Sequence, residues 1–90
     1  MNLTDKGIAE IKSAPRWIEE GIAAFEVMGG KLLGFFPVLG EYDYVALGDL
    51  PSDEEVLAFV VALSAKGFVR TTTLRAFSTD TFAGVIKTLP

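Results

Sequence analysis

Residues 40–47 read Gly-Glu-Tyr-Asp-Tyr-Val-Ala-Leu and join a turn to an apolar run near the middle of the chain. Gly40 and Asp43 are typical turn residues, whereas the following run suits a buried strand over Tyr42–Gly48. The preceding stretch, Lys31–Val38, reads as its antiparallel partner, and Pro37 favours an edge position for that partner. The sequence therefore predicts a β-hairpin whose turn carries two carboxylates.

Helices are predicted on both sides of this hairpin from caps and apolar periodicity. They are expected over residues 5–12 after Thr4, from Ala14 or Pro15 to Met28, over 53–67 after Ser52, and at the C-terminus after Ser78. Ser52 and Glu55 have the spacing of a capping box, and Gly67 is a left-handed C-cap candidate. The last two helices each carry an apolar stripe that predicts one buried face: Val56, Phe59, Val60 and Leu63, and then Phe82, Val85, Ile86 and Leu89.

The segment Val69–Ala76 is rich in β-branched residues and is predicted to be a third strand. The order helix, strand, strand, helix, strand, helix corresponds to an α+β, ferredoxin-like β-α-β-β-α-β unit. Its antiparallel sheet would carry the helices on one face, with the first strand truncated or missing and an extra C-terminal helix. A chain of 90 residues is expected to form a single domain over 1–90.

Composition limits the chemistry that this chain can perform. The formal net charge of −4 argues against nucleic acid as a partner, and the chain has neither cysteine nor histidine. Thiolate and imidazole catalysis and the zinc sites built on these residues are therefore excluded. No cofactor, metal site or catalytic residue is assigned, and the acidic run Asp53–Glu55 is interpreted as a solvated helix start.

Half of the residues are apolar, which is high for a small monomer, so a homodimer or higher homo-oligomer is expected. The longest apolar run, Val56–Leu63, is too short to cross a membrane, and no signal peptide is recognised. A cytoplasmic protein without a membrane partner is the expectation.

Several motifs together resemble the GYD domain family, small bacterial proteins named for the Gly, Tyr and Asp found here at Gly40, Tyr42 and Asp43. The resemblance extends over Leu3–Ile8, Ile11–Pro15, Gly29–Lys31, Gly40–Asp43 and Val69–Phe77. It implies a fold of the dimeric alpha-beta barrel superfamily. The family has no established activity, so the resemblance implies an architecture and not a reaction.

The resemblance also implies that a central strand of about eight residues precedes the Thr4-Asp5-Lys6-Gly7 segment in relatives. Only three residues precede Thr4 here, and three residues are not expected to fill that position. A late start of the sequence is one explanation. The alternatives are direct pairing of the strands at Tyr42 and Val69, or a strand supplied by another segment or chain.

A weaker similarity links Gly40–Leu50 and the strand Arg70–Thr73 to the ligand-binding domain of the leucine-responsive regulatory protein family. In that family a Gly-x-x-Asp turn lies near an amino-acid effector at a subunit interface. Gly40 and Asp43 match it, whereas the DNA-binding helix-turn-helix domain has no counterpart.

The candidate ligand-binding residues are Glu41, Tyr42, Asp43, Arg70 and Thr72. Each also has a structural interpretation: Asp43 as an acceptor in the turn, Tyr42 and Tyr44 as sheet packing, Arg70 as part of an internal ion pair or interface, and Thr72 as a strand former. Trp17 is interpreted as a packing residue.

Two functions of different classes are compatible with these residues, and a structural role is a third possibility. The first is a non-catalytic module that binds a small apolar or carboxylate ligand, or has a regulatory role, in a cavity between the helix-free sheet faces of two chains. The alternative is a cofactor-independent monooxygenase- or isomerase-like enzyme with a buried Asp43 or Glu41 as base and Tyr42 or Arg70 stabilising an enolate or carboxylate. A purely structural assembly protein is the third possibility.

Overall fold

The computed structural model describes residues 1–90 and contains four strands, four α-helices and one 3-10 turn. The strands are β1 (Asn2–Leu3), β2 (Lys31–Pro37), β3 (Tyr44–Asp49) and β4 (Val69–Arg70). The α-helices are α1 (Asp5–Ala9), α2 (Ala14–Val27), α3 (Asp53–Lys66) and α4 (Thr79–Ile86), and the 3-10 turn spans Ile11–Ser13. The predicted α+β class is confirmed.

Local capping signals set the helix starts as predicted. The hydroxyls of Thr4, Ser52 and Ser78 accept the amides of Gly7, Glu55 and Thr81 at 3.1, 3.3 and 3.0 Å. Two details were wrong. The first helix ends at Ala9 and continues as the 3-10 turn, and the capping box is only half formed because Glu55 Oε2 has no hydrogen-bond partner.

Strands β2 and β3 form the predicted antiparallel hairpin, with Phe36 opposite Val45 and Phe35 opposite Ala46. The pairing shifts register around Leu33, which marks a β-bulge. β2 pairs only with β3, so Pro37 lies on an edge strand as expected. Gly40 has φ +118°, which a residue with a side chain rarely adopts, and this confirms the tight turn at that position.

Residues 1–3 lie between the hairpin and β4 and hydrogen-bond to both. The Met1 ammonium donates to the Tyr44 carbonyl at 2.9 Å, and the Tyr44 amide donates back to the Met1 carbonyl at 3.1 Å. On the other side, Asn2 pairs with Arg70 and Leu3 with Val69 in antiparallel register. The strands form two antiparallel pairs, β2–β3 and β1–β4, which the hydrogen bonds of Met1 place side by side in an arrangement consistent with a ferredoxin-like fold.

Two predictions about this central position were wrong. β3 and the strand at Val69 do not pair directly, because Met1–Leu3 lies between them. The third predicted strand, Val69–Ala76, is regular only at Val69–Arg70, because its partner β1 extends no further than Asn2. Thr71–Phe77 has no regular secondary structure.

The core is thin and largely aromatic. Trp17 of α2 stacks on Phe68 at a centroid distance of 4.9 Å and meets Tyr44 edge-on at 6.4 Å, which confirms its packing role. Phe25 meets Phe59 of α3 edge-on at 5.1 Å. Only Gly7, Ala14, Tyr44 and Val69 are buried, and no side chain is completely enclosed. The helices α1 to α3 therefore cover one side of the strands only loosely.

Helix α4 projects away from this core. Of its predicted stripe, Leu89 lies beyond the helix end at Ile86. Phe82, Val85, Ile86 and Leu89 are all exposed, so the expectation that the stripe faces a core within the chain was wrong. The radius of gyration is 15.3 Å, compared with about 12 Å for a compact chain of this length. None of the helices has the length and apolar character that a membrane-spanning helix requires.

Two helical glycines allow the packing of α1 to be tested. A Cβ at Gly7 would overlap the Phe68 carbonyl oxygen, whereas a Cβ at Gly84 of α4 would meet no atom within 4 Å. We expect Gly7→Ala to destabilise the protein by about 1–3 kcal/mol through overpacking. Gly84→Ala should be neutral or stabilise by up to about 1 kcal/mol, because alanine favours a helix. Chemical denaturation of both variants measures this difference, and equal effects would contradict the close contact between α1 and Phe68.

Candidate functional site

Asp43 makes a structural contact at the start of β3. Its Oδ2 accepts the backbone amide of Leu3 at 2.9 Å, and its carbonyl accepts the Val38 amide at 3.0 Å. The carboxylate therefore fixes β1 against the turn that precedes β3, as the structural interpretation of this residue predicted. The residue itself remains exposed to solvent.

Glu41 and Tyr42 lie in the exposed turn between the two strands of the hairpin. Glu41 contributes its backbone carbonyl, which accepts Asn2 Nδ2 at 3.2 Å. Tyr44, in contrast, is buried against Trp17, with its ring centroid 5.4 Å from that of Phe35. Tyr42 and Tyr44 thus have different environments, and only Tyr44 belongs to the core.

Arg70 is exposed in β4 opposite Asn2 and takes part in no ion pair or side-chain hydrogen bond. The two ion pairs of the structure involve other arginines, Arg16 with Glu20 and Arg75 with Asp53. Since Val69 is buried on the helix side, strand alternation directs Arg70 to the helix-free side. Thr72 is exposed two residues further along the same segment.

The first strand brings most of these candidates to one place. Glu41 and Asp43 contact Met1–Leu3 from one side, and Arg70 pairs with Asn2 on the other. Tyr42 lies in the same turn, whereas Thr72 lies beyond the end of β1. Sequence reasoning missed the role of Met1–Leu3 itself, because two residues of strand carry no recognisable periodicity.

The helix-free side of the hairpin is an uncovered apolar surface. We call it the open face, and it consists of Gly34, Phe36, Val45 and Leu47, which the strand register places together. Phe36 and Leu47 are 52% and 53% exposed. The Phe36 ring lies over Gly34, where a Cβ would come within 2.7 Å of it. The open face is therefore apolar, continuous and accessible to another molecule.

Two surface depressions involve neither Asp43 nor the open face. One, of about 260 Å³, lies on α4 and is lined by Phe77, Thr81, Phe82 and Val85. The other, of about 170 Å³, lies between α2 and Phe68 and includes Glu10 and Arg16. Both are shallow and open. No group of histidine, cysteine or carboxylate side chains has the arrangement of a metal site.

Comparison with known proteins identifies one family. The sequence model of the GYD domain matches residues 1–86 of the chain, as the motif resemblance predicted. No curated protein and no solved structure matches the chain. The match covers all four strands and the four helices described above.

The contact between Asp43 and Leu3 generates a stability prediction with a matched control. Asp43→Ala removes the acceptor of the Leu3 amide and should destabilise the protein by about 0.5–1.5 kcal/mol. Asp43→Asn should lose less stability, because the side-chain amide oxygen of asparagine can still accept the hydrogen bond from the Leu3 amide. Glu41→Ala should change stability by less than about 0.5 kcal/mol, because Glu41 acts through its backbone carbonyl. Urea denaturation measures the free energy of unfolding of all three variants. An Asp43→Ala variant as stable as the unchanged protein would contradict the structural role of Asp43.

Proposed function

The chain belongs to the GYD domain family, and we propose that it is a non-catalytic module that self-associates through its open face and binds a small apolar carboxylate between the paired chains. The uncovered apolar surface of the β2–β3 hairpin carries this proposal.

The open face supports self-association. An exposed contiguous apolar patch on a small protein marks an interaction surface, because its burial removes apolar area from water. A second copy presents the same surface, so a two-fold contact would bury both faces at once. The exposed stripe of α4 provides further apolar surface for a homodimer or a larger homo-oligomer.

Arg70 supports a carboxylate ligand. Its guanidinium has no partner within the chain and lies on the same side of the strands as the open face. Arginine binds carboxylates through two parallel hydrogen bonds, and such bonds strengthen when water is excluded. Tyr42 and Thr72, both exposed, are the candidates for further contacts with the ligand.

The enzymatic alternative requires a buried carboxylate that acts as a base. Within a single chain Asp43 and Glu41 are both exposed, and one Asp43 oxygen already accepts the Leu3 amide. Neither observation favours catalysis, so the binding function is the better-supported proposal. The cytoplasmic location expected from the sequence stays a prediction.

Self-association is tested by placing a charge on the open face. We expect the unchanged protein to sediment as a dimer or larger oligomer at micromolar concentration. Phe36→Asp should shift it to a monomer, because a carboxylate buried in an apolar interface is strongly unfavourable. Leu39→Asp is the matched control, since Leu39 is fully exposed in the turn outside the open face and should leave the oligomer intact.

A monomeric unchanged protein, or an oligomer that both substitutions disrupt equally, would contradict association through the open face. Circular dichroism of each variant establishes that the fold is retained.

Ligand binding is tested with octanoate as the probe and titration calorimetry as the measurement. We expect octanoate to bind and Arg70→Gln to weaken its binding about tenfold, equivalent to the loss of roughly 1.4 kcal/mol from one charge-assisted contact. Arg16→Gln is the control, because Arg16 is an exposed residue of α2 that pairs with Glu20. Octanol, which lacks the carboxylate, should bind equally to the unchanged protein and to Arg70→Gln. An equal effect of the two arginine substitutions on octanoate would contradict the role of Arg70.

A further inference from the structure

Helix α3 is apolar on the side that faces away from the strands, and we propose that this side pairs with the same helix of a second copy of the chain. Between Glu55 and Lys66 the helix carries a single polar side chain, that of Ser64. We call the side that faces away from the strands the outer face, and all of its residues are exposed: Leu57, Ala58, Val61, Ala62 and Ala65. A helix that is apolar all round is typically buried on all sides.

Helix α2 lies on the same side of the strands and shows how a solvated helix of this chain is built. Its exposed surface includes four charged residues: Arg16, Glu19, Glu20 and Glu26. Over residues 56–65, in contrast, α3 has no charge at all, and its Leu57 and Val61 are 64% and 59% exposed. The outer face of α3 therefore lacks the side chains that normally solvate a surface helix.

The charges at the two ends of α3 favour a second copy in antiparallel orientation as the occupant of the outer face. The first turn carries three carboxylates: Asp53, Glu54 and Glu55. The last turn carries Lys66, whose carbonyl accepts Lys6 Nζ at 2.9 Å, so two ammonium groups lie at this end. An antiparallel pair places the acidic end of each helix beside the basic end of the other. A parallel pair would place like charges together, which is unfavourable.

The sizes of the side chains on the outer face also suit an antiparallel pair. Leu57 and Ala65 lie at the two ends of this face, and Val61 lies at its centre. A two-fold axis at Val61 brings each Leu57 against the partner's Ala65, so a large side chain meets a small one. Side chains matched in this way allow the helix axes to approach to about 8–10 Å. The same surface then serves both copies, as a two-fold contact requires.

Pairing through α3 is separate from association through the open face. The inner side of α3 packs through Phe59 on Phe25, and Phe25 lies against Gly48 on the helix side of the hairpin. The outer face and the open face therefore lie on opposite sides of the strands. A standard interface involves about 20–30 residues a side, so the smaller outer face should give the weaker contact and require submillimolar protein. This pairing goes beyond the proposed function and does not depend on it.

Charge reversal tests the antiparallel pairing, and the Phe36→Asp variant separates it from the open face. In analytical ultracentrifugation at submillimolar concentration, we expect Phe36→Asp to form a concentration-dependent dimer. Adding Glu54→Lys or Lys66→Glu should weaken this dimer about tenfold, because each change creates two like-charge contacts across the two-fold axis. Adding both should restore the affinity to within about threefold, because opposite charges then face each other again.

Restoration by the second reversal can arise only between copies. Within one chain Glu54 and Lys66 are about 18 Å apart along the helix, which exceeds the screening length of about 8 Å at physiological salt. Each reversal also opposes the helix dipole, so an effect within one chain would make the double variant the worst of the three. Glu19→Lys on α2 is the matched control for the change of charge and should leave the dimer unaffected. Circular dichroism of each variant establishes that the helices are retained.

A charge at the centre of the contact provides the second test. Leu57→Asp in the Phe36→Asp background should abolish the remaining association, because it places a carboxylate in an apolar interface. Three outcomes would overturn the pairing: a Phe36→Asp protein that stays monomeric at submillimolar concentration, a dimer that Leu57→Asp leaves intact, or a double charge reversal no tighter than the single ones. Restored affinity in the double reversal supports the α3 pair even where the unchanged protein does not associate through the open face.

Discussion

The fold depends on the hydrogen bonds that three N-terminal residues make with two separate strand pairs. Met1 bonds to Tyr44 of the hairpin, while Asn2 and Leu3 pair with β4. The carboxylate of Asp43 adds a further bond to the Leu3 amide. No backbone hydrogen bond joins β3 directly to β4, and side-chain packing such as that around Trp17 and between Phe25 and Phe59 supplies the other links. A very short N-terminal segment therefore joins the two strand pairs.

The same arrangement leaves much of the apolar surface uncovered. Four buried residues are few for a chain of 90, and Phe36, Leu47 and the α4 stripe remain exposed. Because the stability of a small domain depends on the apolar area that it buries, burial of this surface against another molecule would stabilise the chain.

Local signals predicted most of the fold. The caps at Thr4, Ser52 and Ser78 and the turn at Gly40 depend on neighbouring residues alone, and all four were confirmed. Features that depend on residues distant in the sequence were predicted less well. The predicted strand at Val69 is only two residues long because β1 is short, and the α4 stripe meets no surface within the chain. For the site, the structural role of Asp43 was predicted from its position in the turn. The ligand roles proposed for Arg70 and Thr72 stay predictions, because they depend on a second molecule.

The central claim is that Met1–Leu3 is an integral strand, and native-state hydrogen exchange of two amides tests it most directly. The Tyr44 amide donates to the Met1 carbonyl, and the Thr4 amide donates to the Phe68 carbonyl. If β1 is integral, both amides should exchange with the same free energy and denaturant dependence as the β2–β3 amides, because all open in one cooperative unit. Rapid exchange of Tyr44 and Thr4 while the β2–β3 amides stay protected would show that the N-terminal segment is detached, and would contradict the account.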